Sequence, residues 1–524
     1  MHTKLKVGFA GIYPFRPHFE HLEFLAHTLE DYGSEISYLS CDGSKNYCYA
    51  KILKNDNSRL QCTKCFLGGA HSYRNSNIYS IRKQISTINL SKDEIEHNLI
   101  SSAASLNRTE TDYELTGKES LECIKNLTKN FEYSFHSAVN WISKKKLNFV
   151  ISFNGRMDMT RAVTYACEKL GIPYITCERT WFGDGLRLIP NANCLSIKAL
   201  SQMMIQYNDK PLSYNQAVIA SKLLSKRFTK QNSLEWRVYN NDAKKIVWPT
   251  KTSRERILIL PSSRHEFAGH KEWATEWSSN TEALEAFIDA YNIHPNQLVL
   301  RCHPNWSEKI GKIYGTKSHE HYLKWAKKMG IKYIRSDENA DTYSLIEQSD
   351  MVILNGGSSA VEAGACGKKV VCIGPATYQT ASFCTTLKDF DSISRFNPSA
   401  NNLSSDDIIR STLRYVYLRA ARFPQFVHYV KAQTTTHYSY FAGADPLRLI
   451  NMARSGRILP DDSKVASDKN DENLILLMTK NKRWKDILSI KELEKGKKEP
   501  LYIKRRLLFK WVDQARNIFP RGDR

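Results

Sequence analysis

Residues 354–369, LNGGSSAVEAGACGKK, carry the densest set of groups suited to an anion. Gly356 and Gly357 let the backbone turn sharply and approach a ligand closely. Ser358 and Ser359 stand at a helix start, where their hydroxyls either cap the helix or join the free N–H groups in holding a phosphate. Glu362 follows one turn later, within reach of ribose hydroxyls. In RCHPN (301–305) His303 leaves a strand directly and Pro304 stiffens the exit. An imidazole placed there either caps the loop, donates to a phosphate oxygen, or acts as an acid toward a leaving group. In PSSRHEFAGH (261–270) Ser262, Ser263 and Arg264 follow another strand. Arg264 has the planar fork that pairs with a diphosphate, or else with Glu266 or another neighbour.

The first half offers acid–base groups. FNGRMDMTRA (153–162) and CERTWFGDGLR (177–187) follow consecutive strands. Asn154, Arg156 and Arg179 are polar groups suited to an acceptor. Glu178 is either a general base for a hydroxyl or an ion-pair partner of Arg179 or Arg156. Asp184 is its competitor as the base, although a Gly-Asp-Gly run reads first as a turn. Cys41, Cys48, Cys62 and Cys65, spaced C-x6-C and C-x2-C, are either four reduced thiols or a structural zinc site. The chemistry read from the other motifs requires no cofactor.

These groups need parallel strands behind them. Lys4–Ala10, a helix over 21–32 and Ile36–Leu39 form a βαβ unit; 148–153, 161–170 and 173–177 form another. Residues 41–75 read as an irregular insert rich in Cys, Gly, Asn and Ser. The alternation restarts at Ile257–Leu260 and continues through Leu298–Cys302, Lys332–Ile334, Met351–Leu354 and Lys369–Ile373. It predicts an α/β fold: two Rossmann-like domains facing a cleft, with C-terminal helices. The expected boundaries are 1–245 for the first domain, 246–400 for the second, 401–455 for crossing helices and 456–524 for a linker and basic tail. Ligands of such sheets bind beyond the carboxyl ends of the strands, where every motif above falls.

The chain has 524 residues and a formal net charge of +22, which favours an anionic partner. No zinc-finger, helix-turn-helix or RNP motif accompanies the charge, so no nucleic acid is expected. The tail, KNKRWKDILSI and then YIKRRLLFKWVDQARNIF, mixes Lys and Arg with Trp484, Leu508, Phe509, Trp511 and Phe519. Such a segment either lies on an anionic bilayer, with Lys504 and Arg505 snorkelling, or packs as a domain helix. No stretch reads as a membrane span and no cleavable leader is seen, so a cytoplasmic protein is expected, docked through its tail on the inner face of the membrane.

The HP run with a downstream serine pair, set in a C-terminal Rossmann-like domain, resembles bacterial capsule and lipopolysaccharide glycosyltransferases. It is similar to the capsule polysaccharide biosynthesis family and to the GT-B sialyl- and Kdo-transferases. The resemblance spans about residues 147–385, and the Asn154–Arg156 then Glu178 order also looks like the first domain of such enzymes. It implies a GT-B fold with an acceptor domain before a nucleotide-sugar domain, and His303, Pro304, Ser358 and Ser359 holding the donor nucleotide and its phosphate. The implied activity moves a sugar from a nucleotide-sugar donor to a glycan or lipid-linked acceptor. Alternatives are a GT-B-like nucleotide-sugar epimerase, a polyol-phosphate transferase, or a noncatalytic basic protein that binds nucleic acid or membrane. The basic tail and the cysteine insert have no counterpart in the resemblance.

Overall fold

The computed structural model describes residues 4–43, 45, 47–54, 59–235, 242–310, 313–397, 403–492, 496 and 498–518. Short aliphatic runs form strands whose side chains are mostly buried, because helices cover both faces of each sheet. The first sheet holds β1 (Lys6–Ala10), β2 (Glu35–Cys41), β3 (Ile78–Ile81), β4 (Phe149–Phe153), β5 (Tyr174–Arg179) and β6 (Leu186–Pro190). Their order is 3-2-1-4-5-6. All neighbours are parallel except β6, which turns back antiparallel to β5.

The second sheet repeats the plan with β7 (Ile257–Leu260) and β8 (Leu298–Arg301). After a hairpin of β9 (Lys309–Ile310) and β10 (Ile313–Tyr314) come β11 (Lys332–Ile334), β12 (Met351–Leu354), β13 (Lys369–Ile373) and β14 (Cys384–Leu387). Their order, 11-8-7-12-13-14, is the same winding, and all are parallel. Winding therefore reverses between β1 and β4 in one sheet and between β7 and β12 in the other. At such a reversal the flanking helices diverge to opposite faces and leave a crevice beyond the strand ends. The loops holding Asn154 and Ser358 leave β4 and β12, which are strands at these reversals. The expected two Rossmann-like units facing a cleft are present.

The chain does not divide at residue 245. Helices Lys198–Tyr207 and Tyr214–Phe228, with Leu212 between them, place Met203, Met204, Val218 and Leu224 in one core with Leu258 and Val352 of the second sheet. Helix Pro446–Ser455 returns, setting Leu449, Ile450 and Met452 into the core of the first sheet. The helices before residue 245 read as part of the first unit, but their apolar stripes fit the second sheet, whereas Pro446–Ser455 crosses back as expected of 401–455.

Two further expectations change. The cysteine segment is not irregular: it carries helices Tyr49–Lys54, Arg59–Gly68 and Ala70–Tyr73. The tail is a folded element. Strand β17 (Pro500–Leu501) pairs with β16 (Tyr438–Phe441), itself paired with β15 (Val430–Ala432). Arg505 is buried, with Asp513 accepting from its Nε at 2.8 Å and Leu67 O and Ser72 Oγ from its Nη1 at 2.5 and 2.6 Å. Burial of a guanidinium is costly unless it is paired, and the Asp513 carboxylate supplies that partner. Trp484 stacks on Phe228 with centroids 4.4 Å apart. Phe519 lies outside the described residues. No described helix is long and apolar enough to cross a membrane.

Candidate functional site

The run after β8 and the run after β12 meet. His303, Pro304, Gly357, Ser358, Ser359 and Glu362 line one cavity of about 130 Å³. Pro304 opens a short 3-10 turn, and His303 Nδ1 accepts from Asn305 N at 3.2 Å, so the imidazole is fixed by its own loop. Gly356 holds φ +89°, the left-handed conformation that favours glycine. A Cβ on Gly357 would approach Ser262 Oγ to 3.1 Å, and that closeness brings the loop over β7. Ser359 makes no side-chain cap to the helix Ala360–Ala365 that follows it. Its hydroxyl is not consumed by capping, the simpler of its two expected uses.

Arg227 and Arg301 join this cavity, and sequence reasoning passed over both. Arg227 Nη1 donates to Glu362 Oε1 at 2.7 Å, and its Nε and Nη2 donate to Glu235 at 2.8 and 2.5 Å. Burial opposes the Arg227 charge, but Glu235 and then Glu362 offset it and hold the guanidinium above its usual range. Burial pushes the Glu362 carboxyl up, against the pull of Arg227. Its second oxygen, Oε2, is buried without a hydrogen-bond partner. Glu362 thus anchors Arg227 in the cavity wall and does not stand free toward a ribose.

On the other side of the Gly356–Ser358 turn lies a cavity of about 440 Å³. Glu178, Arg179, Trp181 and Arg187 line it from the first sheet, and Gly356, Ser358 and Thr377 from the second. Glu178 Oε2 accepts from Asn154 Nδ2 at 3.1 Å, and Oε1 accepts from Arg179 N at 3.1 Å. Asn154 also accepts from Arg156 N at 2.9 Å, with φ +60°, so the β4 loop is built to aim its amide at Glu178. His18, absent from the sequence reading, sits with Nδ1 3.3 Å from Glu178 Oε1. Burial lowers its pKa more than the Glu178 charge raises it. The strand-end rule pointed to it, since helix His18–Asp31 follows the loop after β1.

Other expected site residues have different work. Arg156 donates to Ser101 Oγ at 2.6 Å, Ser105 Oγ at 2.7 Å and His265 O at 3.0 Å, which ties the β4 loop to the β7 loop. Arg179 donates through Nη2 to Leu234 O at 3.0 Å while lining the Glu178 cavity. Asp184 accepts from Lys431 Nζ at 2.5 Å and Ala432 N at 3.0 Å, fastening β15 to the Gly183–Gly185 turn. It does not line the cavity of Glu178. Arg264 spends its fork on Asp112 Oδ1 at 2.7 Å, Thr275 Oγ1 at 3.1 Å and Trp277 O at 2.9 Å, a clamp between the two halves. Asp112 is therefore its neighbour, not Glu266 or a diphosphate. Ser263 Oγ accepts from Trp306 Nε1 at 2.7 Å and is buried, and Ser262 is buried beneath Gly357.

Cys41, Cys48, Cys62 and Cys65 do gather around one small cavity, with Lys45 and Lys51. Among the described residues, however, no three of His, Cys, Asp and Glu are placed to share a metal ion. Burial pushes the Cys41 and Cys65 thiols up to about 11, and Cys48 higher, so in the metal-free protein they are neutral. This arrangement does not fit the expected zinc site.

No known family profile matches the sequence, and no curated protein does. Solved structures with a similar course include KpsC of Thermosulfurimonas dismutans, a β-Kdo 2,4-transferase, at 13% identity over 63% of this chain and 87% of that one, TM-score 0.34. UDP-GlcNAc 2-epimerase from Neisseria meningitidis is 12% identical over 78% and 97%, TM-score 0.25. The glycosyltransferase SnogD from Streptomyces nogalater is 11% identical over 80% and 95%, TM-score 0.24. These superpositions are loose, and the two sheets and their cleft stand on the strand order above.

Proposed function

We propose that the protein is a GT-B glycosyltransferase that moves a sugar from a nucleotide-sugar donor to a glycan or lipid-linked acceptor in surface-polysaccharide synthesis. The observation that carries this is Ser358, which lines both cavities of the cleft. One cavity has the residues for a phosphate: His303, Ser358 and Ser359. The other has a carboxylate, Glu178, held by three neighbours. Transfer needs these two environments side by side, a phosphate leaving group on one hand and a base for the incoming hydroxyl on the other. Asn154 and the Arg179 amide orient Glu178, and His18 stands beside it. The tail presents Leu507, Leu508 and Trp511 to solvent beside Arg506 and Lys510, which suits an acceptor held at an anionic membrane.

The test is calorimetric titration with UDP, CMP and GDP of the wild-type protein and of Ser358→Ala/Ser359→Ala. One nucleotide is expected to bind, at least tenfold more weakly to the double variant. Binding of none of them overturns the reading. Turnover of a donor with no acceptor present would instead identify an epimerase.

A further inference from the structure

We propose that Arg187 and Arg419 form an oxyanion-binding subsite on the Glu178 side of the cleft, which takes a phosphate or carboxylate carried by the acceptor. The word acceptor rests on the transferase reading above; the anion site itself does not.

The antiparallel register of β5 with β6 puts Arg187 directly opposite Glu178. Opposed residues of an antiparallel pair share a face, so the guanidinium and the carboxylate look into the same cavity. Arg419 enters that cavity from the second unit, on a π-helical turn, Leu418–Arg422, that extends helix Ser405–Tyr417. Such turns widen a helix locally and recur where a side chain is re-aimed for function. The Arg419 guanidinium carbon lies 4.9 Å from the Trp181 ring centroid, and Tyr415 OH accepts from its Nη1 at 2.9 Å, so the side chain is held in place.

Neither arginine is neutralised. Among the described residues, no carboxylate pairs within 4.0 Å of Arg187 or Arg419. Arg187 gives Nη2 to Ser196 O at 3.0 Å, while its Nε is buried with no hydrogen-bond partner. With Arg179, three guanidiniums face the one carboxylate of Glu178 in this cavity. Burial first, and the Arg419 charge next, push Arg187 below the usual arginine range. Two like charges held together, one with an unmet donor, are unfavourable in the empty protein and favourable once an oxyanion sits between them. His303 and Ser359 line only the cavity on the far side of Ser358, so the two anion sites are distinct.

Inorganic phosphate and acetate, titrated separately into the full-length protein, test this. Wild type is expected to bind two phosphates. Arg187→Gln/Arg419→Gln should lose one of them, with at least tenfold weaker affinity, and keep nucleotide binding. Ser359→Ala, which touches the donor-side cavity alone, should lose the other. Acetate binding that vanishes only in the arginine variant assigns a carboxylate, and phosphate alone assigns a phosphate group. Arg187→Lys/Arg419→Lys, which keeps the charge and loses the fork, decides by the same criterion if the glutamine pair does not fold: at least threefold weaker binding is expected. If the arginine variants bind both anions as wild type does, or neither anion binds wild type outside the serine pocket, the subsite is wrong. Loss of the anion in the arginine variants together with unaltered nucleotide binding by the serine variant upholds the subsite and overturns the donor assignment.

Discussion

At the scale of single residues, Glu178 and its two buried neighbours decide most. Glu178→Gln keeps the amide-sized volume and the Asn154 contact but cannot take a proton. Transfer should fall at least a hundredfold, in line with the usual contribution of a general base, on the order of 10² to 10⁴. Nucleotide affinity should stay within twofold. Normal turnover by this variant would falsify the assignment, and Asp184 does not inherit it, because Lys431 and Ala432 N occupy its oxygens. His18 and His21 give a pH signature. Both are buried, and burial lowers each below the ordinary value of 6.5, His21 further than His18. Below pH 6.5 the unfolded chain takes up protons that the folded chain refuses, so their contribution to stability is present above that pH and is lost as pH falls. The loss is up to about 1.4 kcal/mol per pH unit for each histidine until its folded pKa is reached. Thermal unfolding from pH 7.5 to 5.5 should show Tm falling, and a His18→Gln/His21→Gln protein should show a flatter profile. An unchanged slope in that protein would remove these two residues as the cause.

At the scale of elements, the turn that divides the two cavities is held by what packs behind it. Gly364, on the helix after Ser359, faces helix Ser405–Tyr417 so closely that a Cβ would stand 2.1 Å from Thr412 Oγ1. Gly364→Ala must push the helices apart and should cost about 1–3 kcal/mol, read as a shift in the urea midpoint. It should also weaken nucleotide binding, since the displaced helix carries Ser359. A midpoint unmoved by the alanine would mean that Thr412 rotates away freely. This close approach was hidden in the sequence, where LNGGSSAVEAGACGKK shows its glycines but not their neighbours. What was legible there was local: aliphatic runs fixed nearly every strand of the second sheet, and the strand-end rule gathered His303, Pro304, Ser358 and Ser359 into one pocket. What was not legible was distant. Arg264 and Arg156 have types that suit a phosphate, yet Asp112 and His265 O, reached only by folding, claim them. Arg419 lies far from every motif, and only the assembled cleft brings it to the cavity of Glu178.

At the scale of the molecule, the excess charge and the exposed end of the tail belong together. Leu507, Leu508 and Trp511 are 79%, 73% and 53% exposed, while Arg505 between the tail and the first unit is buried. We propose that the tail meets a membrane as a folded rim, where each nearby Lys or Arg adds about 1 kcal/mol at an anionic surface. Leu507→Ser/Leu508→Ser/Trp511→Ser in the full-length chain should stay in the supernatant when wild type sediments with phosphatidylserine vesicles at low salt. Sedimentation of neither would leave the +22 charge to another partner. The threading of the chain has a consequence for how the protein comes into being. The core under the first sheet needs Phe426, Val430, Tyr440 and Leu449, and the other core needs Ile475 and Leu476. Neither half can finish while the ribosome still holds the last hundred residues, so early release of an N-terminal fragment yields two open cores and no free-standing domain. A cut between residues 229 and 426 leaves each core without part of itself, so the two pieces must find each other to fold.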